Sequence, residues 1–371
     1  MQESDLPGLV AQVLAAAFAL AVVFGAIAQR THFCTMGAVA DIVNMGDWTR
    51  MRMWVMAMGV AMIGFNAMVA LGWVQAGQSI YAGPRLIWLS NLLGGLLFGF
   101  GMVLASGCGN KTLVRIGSGS LKSVVVFVVL AVAAYATLRG ITGVARVATV
   151  DTVAVALPAG QDLPSLLALA TGVAKERLAL MLGLVIGLGL VGFALARPEG
   201  RSGESLLAGL GLGAVIVGAW WVSGRMGHLA EHPVTLEDVF LATNTQRMES
   251  FSFVAPMAYT VDWLILFSDK SKVLTVGIVT TVGVVAGSAL MSLLDRNFRW
   301  EGFGGTEDVA NHLVGATLMG VGGVTAMGCT VGQGLSGVST LALGSFIALG
   351  GIIAGAVLAL RYQMWRLDRL V

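Results

Sequence analysis

Charge is scarce in this chain: Asp, Glu, Lys and Arg together supply only 11% of its 371 residues. A soluble globular domain of this size does not keep so little charge, so that class is excluded. Cysteine is rarer still. Cys34, Cys108 and Cys329 stand alone, an odd number without a CxxC pair. A disulfide framework fits that badly, and no CxxC argues for thioredoxin-type redox chemistry or a zinc site. The glycine-rich P-loop signature is missing too, so the chain offers no ATP-binding site of its own. What is plentiful is apolar: 57% of residues are hydrophobic and the mean hydropathy is +0.85. The bulk of the surface must face lipid. The net charge of +2 carries no sign of nucleic-acid binding, because the basic residues sit in short segments between apolar runs, where they act as topology signals. No metal or other cofactor is expected. The methionines at Met51, Met53, Met56, Met58 and Met62 read as helix packing, since they form no cluster with His or Cys.

Crossing a bilayer takes about 20 largely apolar residues per helix. Nine such runs occur, at 8–29, 52–74, 86–106, 121–141, 177–197, 205–224, 272–294, 309–328 and 341–362. The expected fold is therefore an all-α polytopic membrane protein of about nine transmembrane helices, one transport domain over 1–371. Between the runs lie 33–48, 107–120, 237–267 and 329–340, too apolar for ordinary loops and too short to cross. Non-helical backbone at membrane depth survives only inside protein or beside a polar cavity, so these are read as re-entrant elements. On this count Arg30, Arg50 and Arg52, then Lys111, Arg115 and Lys122, Arg197 and Arg201, Arg296 and Arg299, and Arg361, Arg366 and Arg369 share one side. That side is assigned to the cytoplasm of an inner-membrane, multi-pass protein. The N-terminus is then periplasmic, with the loop 142–175 and the region around Glu231, Glu237, Asp238, Arg247 and Glu249, and the C-terminus is cytoplasmic. Met1 to Pro7 is acidic, and the apolar run behind it lacks a small-residue cleavage pattern, so a retained helix is expected rather than a signal peptide.

Residues 94–108 read GGLLFGFGMVLASGC and residues 315–329 read GATLMGVGGVTAMGC, so Gly94, Gly99, Gly101, Ala105, Gly107 and Cys108 all recur 221 positions later. By the count of spans the first copy descends and the second ascends, which predicts an inverted-repeat arrangement of the kind secondary transporters use. The half repeats are placed at 8–143 and 205–362, with 177–197 as the linking helix.

Each cysteine lies nine residues after a glycine, Gly25, Gly99 or Gly320, where a helix meets a re-entrant segment. One isolated cysteine would read as a small apolar packing residue. Three at matched junctions read as a site. Gly107, Gly109, Asn110 and Lys111 flank the second thiol, and Gly328, Thr330, Gly332, Gln333 and Gly334 flank the third. Glycine at a helix break lets backbone approach a ligand, and the exposed helix N-terminus favours an anion. Many of the 51 glycines serve close helix packing instead. Arg30, His32 and Arg115 are placed at the pathway mouth, where with Lys111 they would raise the local anion concentration or simply mark topology. A lone His32 is more easily read as solvated or packed than as a proton relay.

The residues Arg30 to Cys34 (RTHFC), Ser106 to Gly119 (SGCGNKTLVRIGSG), Glu249 to Pro256 (ESFSFVAP) and Gly328 to Ser345 (GCTVGQGLSGVSTLALGS) resemble the YeeE/YedE family of sulfur-transport membrane proteins over essentially the whole chain. The resemblance implies uptake of thiosulfate or a closely related sulfur anion, with the three cysteines meeting near the centre of an hourglass-shaped pathway. There they would relay the anion by S–H···S hydrogen bonds. It also implies a cytoplasmic TusA-like sulfur-carrier protein as acceptor. The family commonly follows its second cysteine with a Thr/Ser-Gly stretch, whereas Gly109, Asn110 and Lys111 here put an amide and a cation beside Cys108. A neutral thiol can donate a weak hydrogen bond to a terminal sulfur without attacking it, and sulfate has no such atom to offer. Two other readings stand beside the permease. A membrane thiol enzyme, a sulfurtransferase or redox relay, would use Cys108; a structural subunit would need none of the thiols. Energetically, carrying a dianion into a negative interior costs about 4.6 kcal/mol per 100 mV, so protons must accompany it or cytoplasmic chemistry must remove it.

Overall fold

The computed structural model describes residues 5–368. Residues 1–4 of the acidic N-terminus, and Arg369 among the topology signals, lie outside the described residues. Along the chain run α1 (Leu6–Arg30), α2 (Thr35–Met45), α3 (Thr49–Ala70), α4 (Trp88–Leu104), α5 (Gly109–Gly117), α6 (Leu121–Arg139), α7 (Ile141–Ala148), α8 (Leu163–Thr171), α9 (Lys175–Leu195), α10 (Gly203–Leu206), α11 (Leu212–Trp221), α12 (Ala255–Ile265), α13 (Val276–Leu294), α14 (Thr306–Thr325) and α15 (Leu343–Leu367). A π-turn over Leu207–Gly211 joins α10 to α11 and another extends α11 to Met226, making one span. The fold is all-α and polytopic. Its strands are two antiparallel pairs of two residues each, Arg85–Leu86 with Val155–Ala156 and His228–Leu229 with Val239–Phe240.

Every one of the nine apolar runs is a helix, but among the described residues eight helices are both long and apolar enough to cross a membrane. The ninth, α14, has the length; Asp308, Asn311 and His312 in its first turns lower its hydropathy. The segment 33–48 folds as α2, 107–120 as α5, and 329–340 as a helix over 330–339. Segment 237–267 holds the short strand Val239–Phe240 and then runs irregularly to α12.

Small residues let these helices touch backbone to backbone. A Cβ added at Gly94 would lie 2.7 Å from the Gly322 carbonyl oxygen, and one at Gly101 would lie 2.6 Å from that of Gly315. Residue numbers therefore rise along α4 as they fall along α14, and the two helices are antiparallel. Gly95 meets Ala348 and Gly99 meets Ile352, so α15 runs parallel to α4; Gly320 meets Leu130 and Ala134, as α14 runs alongside α6. The contacts of α4 with α15 and of α14 with α6 exchange into each other when each residue is advanced or set back by about 221 positions. As a result the breaks after α4 and after α14 point toward opposite ends of the bundle. A second layer forms from α1 against α13, and α3 against α9 and α11.

Candidate functional site

All three thiols sit in one local motif, used three times. Each long helix ends on a non-glycine residue in the left-handed region: His32 (φ 50), Ser106 (φ 55) and Met327 (φ 59). The next N–H then reaches back five residues, from Phe33 to the Ala28 carbonyl (3.1 Å), from Gly107 to Met102 (2.8 Å) and from Gly328 to Gly323 (2.8 Å). This closes the helix with a Schellman turn. The cysteine follows at once, in extended conformation at Cys34 and Cys108, and heads a short helix: α2, α5 or 330–339. Gly37 N–H donates to the Cys34 sulfur at 3.4 Å and Gly332 N–H to the Cys329 sulfur at 3.4 Å. Three helix N-termini thus lie at the thiols, each bearing a partial positive charge that suits an anion.

The thiols are buried but not alike. Cys34 is 6% exposed and lines a cavity; Cys108 is 1% exposed and Cys329 0%. Cys108 lies beside the Thr330 hydroxyl and near both other cysteines. Cys329 lies beside the Ser252 hydroxyl and the Phe253 backbone. Cys34 faces a cavity of about 480 Å³ with Arg50, Lys111, Arg115, Glu204 and His32 on its walls. Here Arg50 is bound to Asp41 at 2.6 Å and Arg115 donates to the Ser106 carbonyl at 2.8 Å. Lys111 forms no ion pair among the described residues. A different cavity, of about 410 Å³, ends at Met327 and Gly328, beside the break before Cys329. Arg146, Asp151, Arg247, Glu249 and Ser252 line it, and Arg146 pairs with Asp151 at 3.1 Å.

The remaining predicted residues divide. Asn110 and Thr330 are buried; Asn110 Oδ1 is unpartnered, as a polar group waiting for a ligand would be, and the Thr330 hydroxyl faces Cys108. Gln333 donates to the Ala326 carbonyl, so its amide tightens the break after α14. Gly107 packs on the Lys111 stem and Gly109 has ordinary contacts only. At Gly332 a Cβ would strike the Ser252 hydroxyl at 2.5 Å, and at Gly334 the Trp54 ring at 2.4 Å. Arg30 forms an ion pair with Asp295 at 2.8 Å, next to Thr31 and His32, which line the Cys34 cavity. The structure adds Tyr81, Trp54 and Ser252. Tyr81 and Trp54 are both buried; the Trp54 indole N–H is unpartnered, and the Tyr81 hydroxyl lies beside Ser252 and Gly332. Only ESFSFVAP could have pointed to Ser252; Tyr81 and Trp54 sit in stretches without any motif.

The second copy of the repeat holds one residue more than the first. From Cys108 to the capping Ser120 is 12 positions, and from Cys329 to the capping Ala342 is 13. A π-turn over Gly332–Gly337 takes up the extra residue directly behind Cys329. Such turns are frequent at functional sites.

A family profile described as sulphur transport matches residues 30–358. The thiosulfate transporter TsuA of Escherichia coli is 23% identical over 339 residues, covering 89% of each chain. A namesake from Spirochaeta thermophila is 31% identical over 96 residues, 26% of this chain and 28% of its own. The probable transporter YedE of Salmonella typhimurium is 34% identical over 98 residues, 26% of this chain and 23% of its own.

Proposed function

Because this chain belongs to the sulphur-transport family, a family of transporters and not of enzymes, we propose that it is an inner-membrane permease for thiosulfate or a closely related sulfur anion, passing its substrate along Cys34, Cys108 and Cys329. The half repeats 8–143 and 205–362, linked by 177–197, form the frame of this reading. One observation carries it. Two cavities lie at helix breaks of opposite direction, Cys34 lines the first, Ser252 lines the second next to Cys329, and Cys108 stands between. Three S–H groups with their helix N-termini behind them can hold an anion by its terminal sulfur while its oxygens meet Asn110, Thr330 and Tyr81. Lys111 and Arg115, with His32 beside them, draw the anion to the Cys34 side. Arg30, tied to Asp295, marks the membrane boundary there.

The Cys34 cavity is the cytoplasmic mouth in this reading, with the N-terminus periplasmic and the C-terminus cytoplasmic. A TusA-like sulfur carrier meets the anion at that mouth and keeps its free concentration low. Uptake of labelled thiosulfate into proteoliposomes, in competition with sulfite, sulfate, sulfide and selenium analogues, tests the substrate. Analogues with a terminal sulfur or selenium are expected to compete and sulfate is not. Sulfate competing as well as thiosulfate would sink the thiol-based selectivity.

A further inference from the structure

The cavity that ends at Met327 and Gly328 contains a carboxyl group with no countercharge bound to it. Glu249 is fixed by its backbone: its N–H donates to the Ser223 hydroxyl at 3.3 Å, and its carbonyl accepts from the same hydroxyl. Its carboxyl accepts a long 3.5 Å hydrogen bond from the Thr245 hydroxyl at Oε2 and a further one from the Asn244 backbone. Arg146, in the same cavity, is held by Asp151 and donates to the Val324 carbonyl, and Arg247 forms no ion pair with Glu249 among the described residues. Tyr81 and Tyr259 are the other titratable groups that feel its charge. Burial among Phe251, Tyr259 and the α13 face pushes the carboxyl up to about 7.

We propose that a sulfur anion occupies this cavity only while Glu249 is protonated, so that binding takes up one proton. The inference rests on the permease reading and names the ion that accompanies its substrate. Ionised, half-buried Glu249 sets a like charge against the anion in the cavity that Ser252 also lines. Protonated, the same group becomes an O–H donor to the anion. No bond is made or broken except the transfer of one proton from water to the carboxylate. The carboxyl is neutral below its raised midpoint, so binding is strong there and weakens as pH rises through it. His32 lines the other cavity, and a Glu249 variant separates the two.

Initial uptake is measured with equal pH on both sides of the membrane. Over roughly pH 6 to 9, native uptake is expected to fall about tenfold per pH unit above the midpoint. Glu249→Gln, a permanent neutral mimic, is expected to keep the low-pH rate throughout, and Glu249→Asp to keep the slope with a shifted midpoint. Titration calorimetry of the native protein with thiosulfate, at a pH about one to two units above the midpoint and in buffers of different ionisation enthalpy, is expected to count close to one proton taken up per anion. An unchanged pH profile in Glu249→Gln, or a proton count of zero in the native protein, overturns the proposal even if a variant fails to fold. Native uptake that is flat in pH overturns this inference alone. Native protein that takes up no thiosulfate at any pH overturns the permease reading as well.

Discussion

At the scale of single residues the thiols carry the most weight, because each occupies a position where a more polar atom is the usual choice. Helix N-caps favour Ser, Thr, Asp and Asn, yet Cys34 and Cys329 offer only a weakly accepting sulfur to Gly37 and Gly332. Capping therefore does not explain the choice of cysteine, and Cys→Ser should improve the caps if anything. Each of Cys34→Ser, Cys108→Ser and Cys329→Ser is expected to insert and fold normally. A weak hydrogen bond contributes about 0.5–1.5 kcal/mol, so each replacement is expected to slow uptake by up to about tenfold. The triple variant should be inactive. A single-nucleophile enzyme would instead lose activity only at Cys108, with a persulfide visible by mass spectrometry, and wild-type uptake by Cys34→Ser and Cys329→Ser would remove the relay. The thiols were legible in the sequence since three identical rare residues at matched positions need no fold to be noticed. Tyr81, Trp54 and Ser252 were not: each becomes a polar group at the site only after α3, the loop that carries Tyr81, the 227–254 segment and the helix 330–339 come together.

At the scale of elements, the glycine nine residues before each cysteine has a packing cause. Added Cβ atoms at Gly25, Gly99 and Gly320 would lie 2.2, 2.0 and 2.6 Å from the carbonyl oxygens of Val284, Ile352 and Leu130. The spacing was visible in the sequence, but its partners lie in helices remote along the chain, so its meaning was not. The break itself is made by Ser106, Met327 and His32 in left-handed conformation, a cost that the Schellman hydrogen bonds offset. Helix packing and the site can thus be separated by substitution. Gly99→Ala forces α4 and α15 apart and is expected to cost about 1–3 kcal/mol, seen as a lower apparent Tm and a lower yield of folded protein. Gly109→Ala meets nothing nearer than 3.6 Å and is expected to leave the Tm unchanged. Equal Tm losses in the two variants would mean that the close approach of α4 to α15 is not what holds this layer. The π-turn behind Cys329 could not be foreseen, because one extra residue between two repeats does not say whether it becomes a bulge, a loop or a shifted cap.

At the scale of the whole molecule the antiparallel pairing of α4 with α14 sets two cavities at opposite-facing breaks, and this gives the thiols unequal access. Cys34 is the one that lines a cavity, at 6% exposure, while Cys108 and Cys329 are closed off at 1% and 0%. Alkylation needs the thiol to meet the reagent, and Arg50, Lys111 and Arg115 around Cys34 draw an anionic, membrane-impermeant maleimide toward it. Variants keeping a single cysteine, with serine at the other two positions, isolate each thiol. The Cys34-only variant is expected to be labelled in inside-out vesicles and not in intact cells, because the side bearing most Lys and Arg is assigned to the cytoplasm. Labelling of the Cys108-only and Cys329-only variants is expected to be slower by an order of magnitude or more, on the order of the difference between an exposed and a buried thiol. Thiosulfate should protect Cys34 if the anion passes it, whereas sulfate should not. Labelling of Cys34 from the periplasmic face would reverse the orientation while leaving the two-cavity arrangement intact. Fast labelling of all three thiols from one face would contradict that arrangement, because a single open channel has no inner thiol to protect.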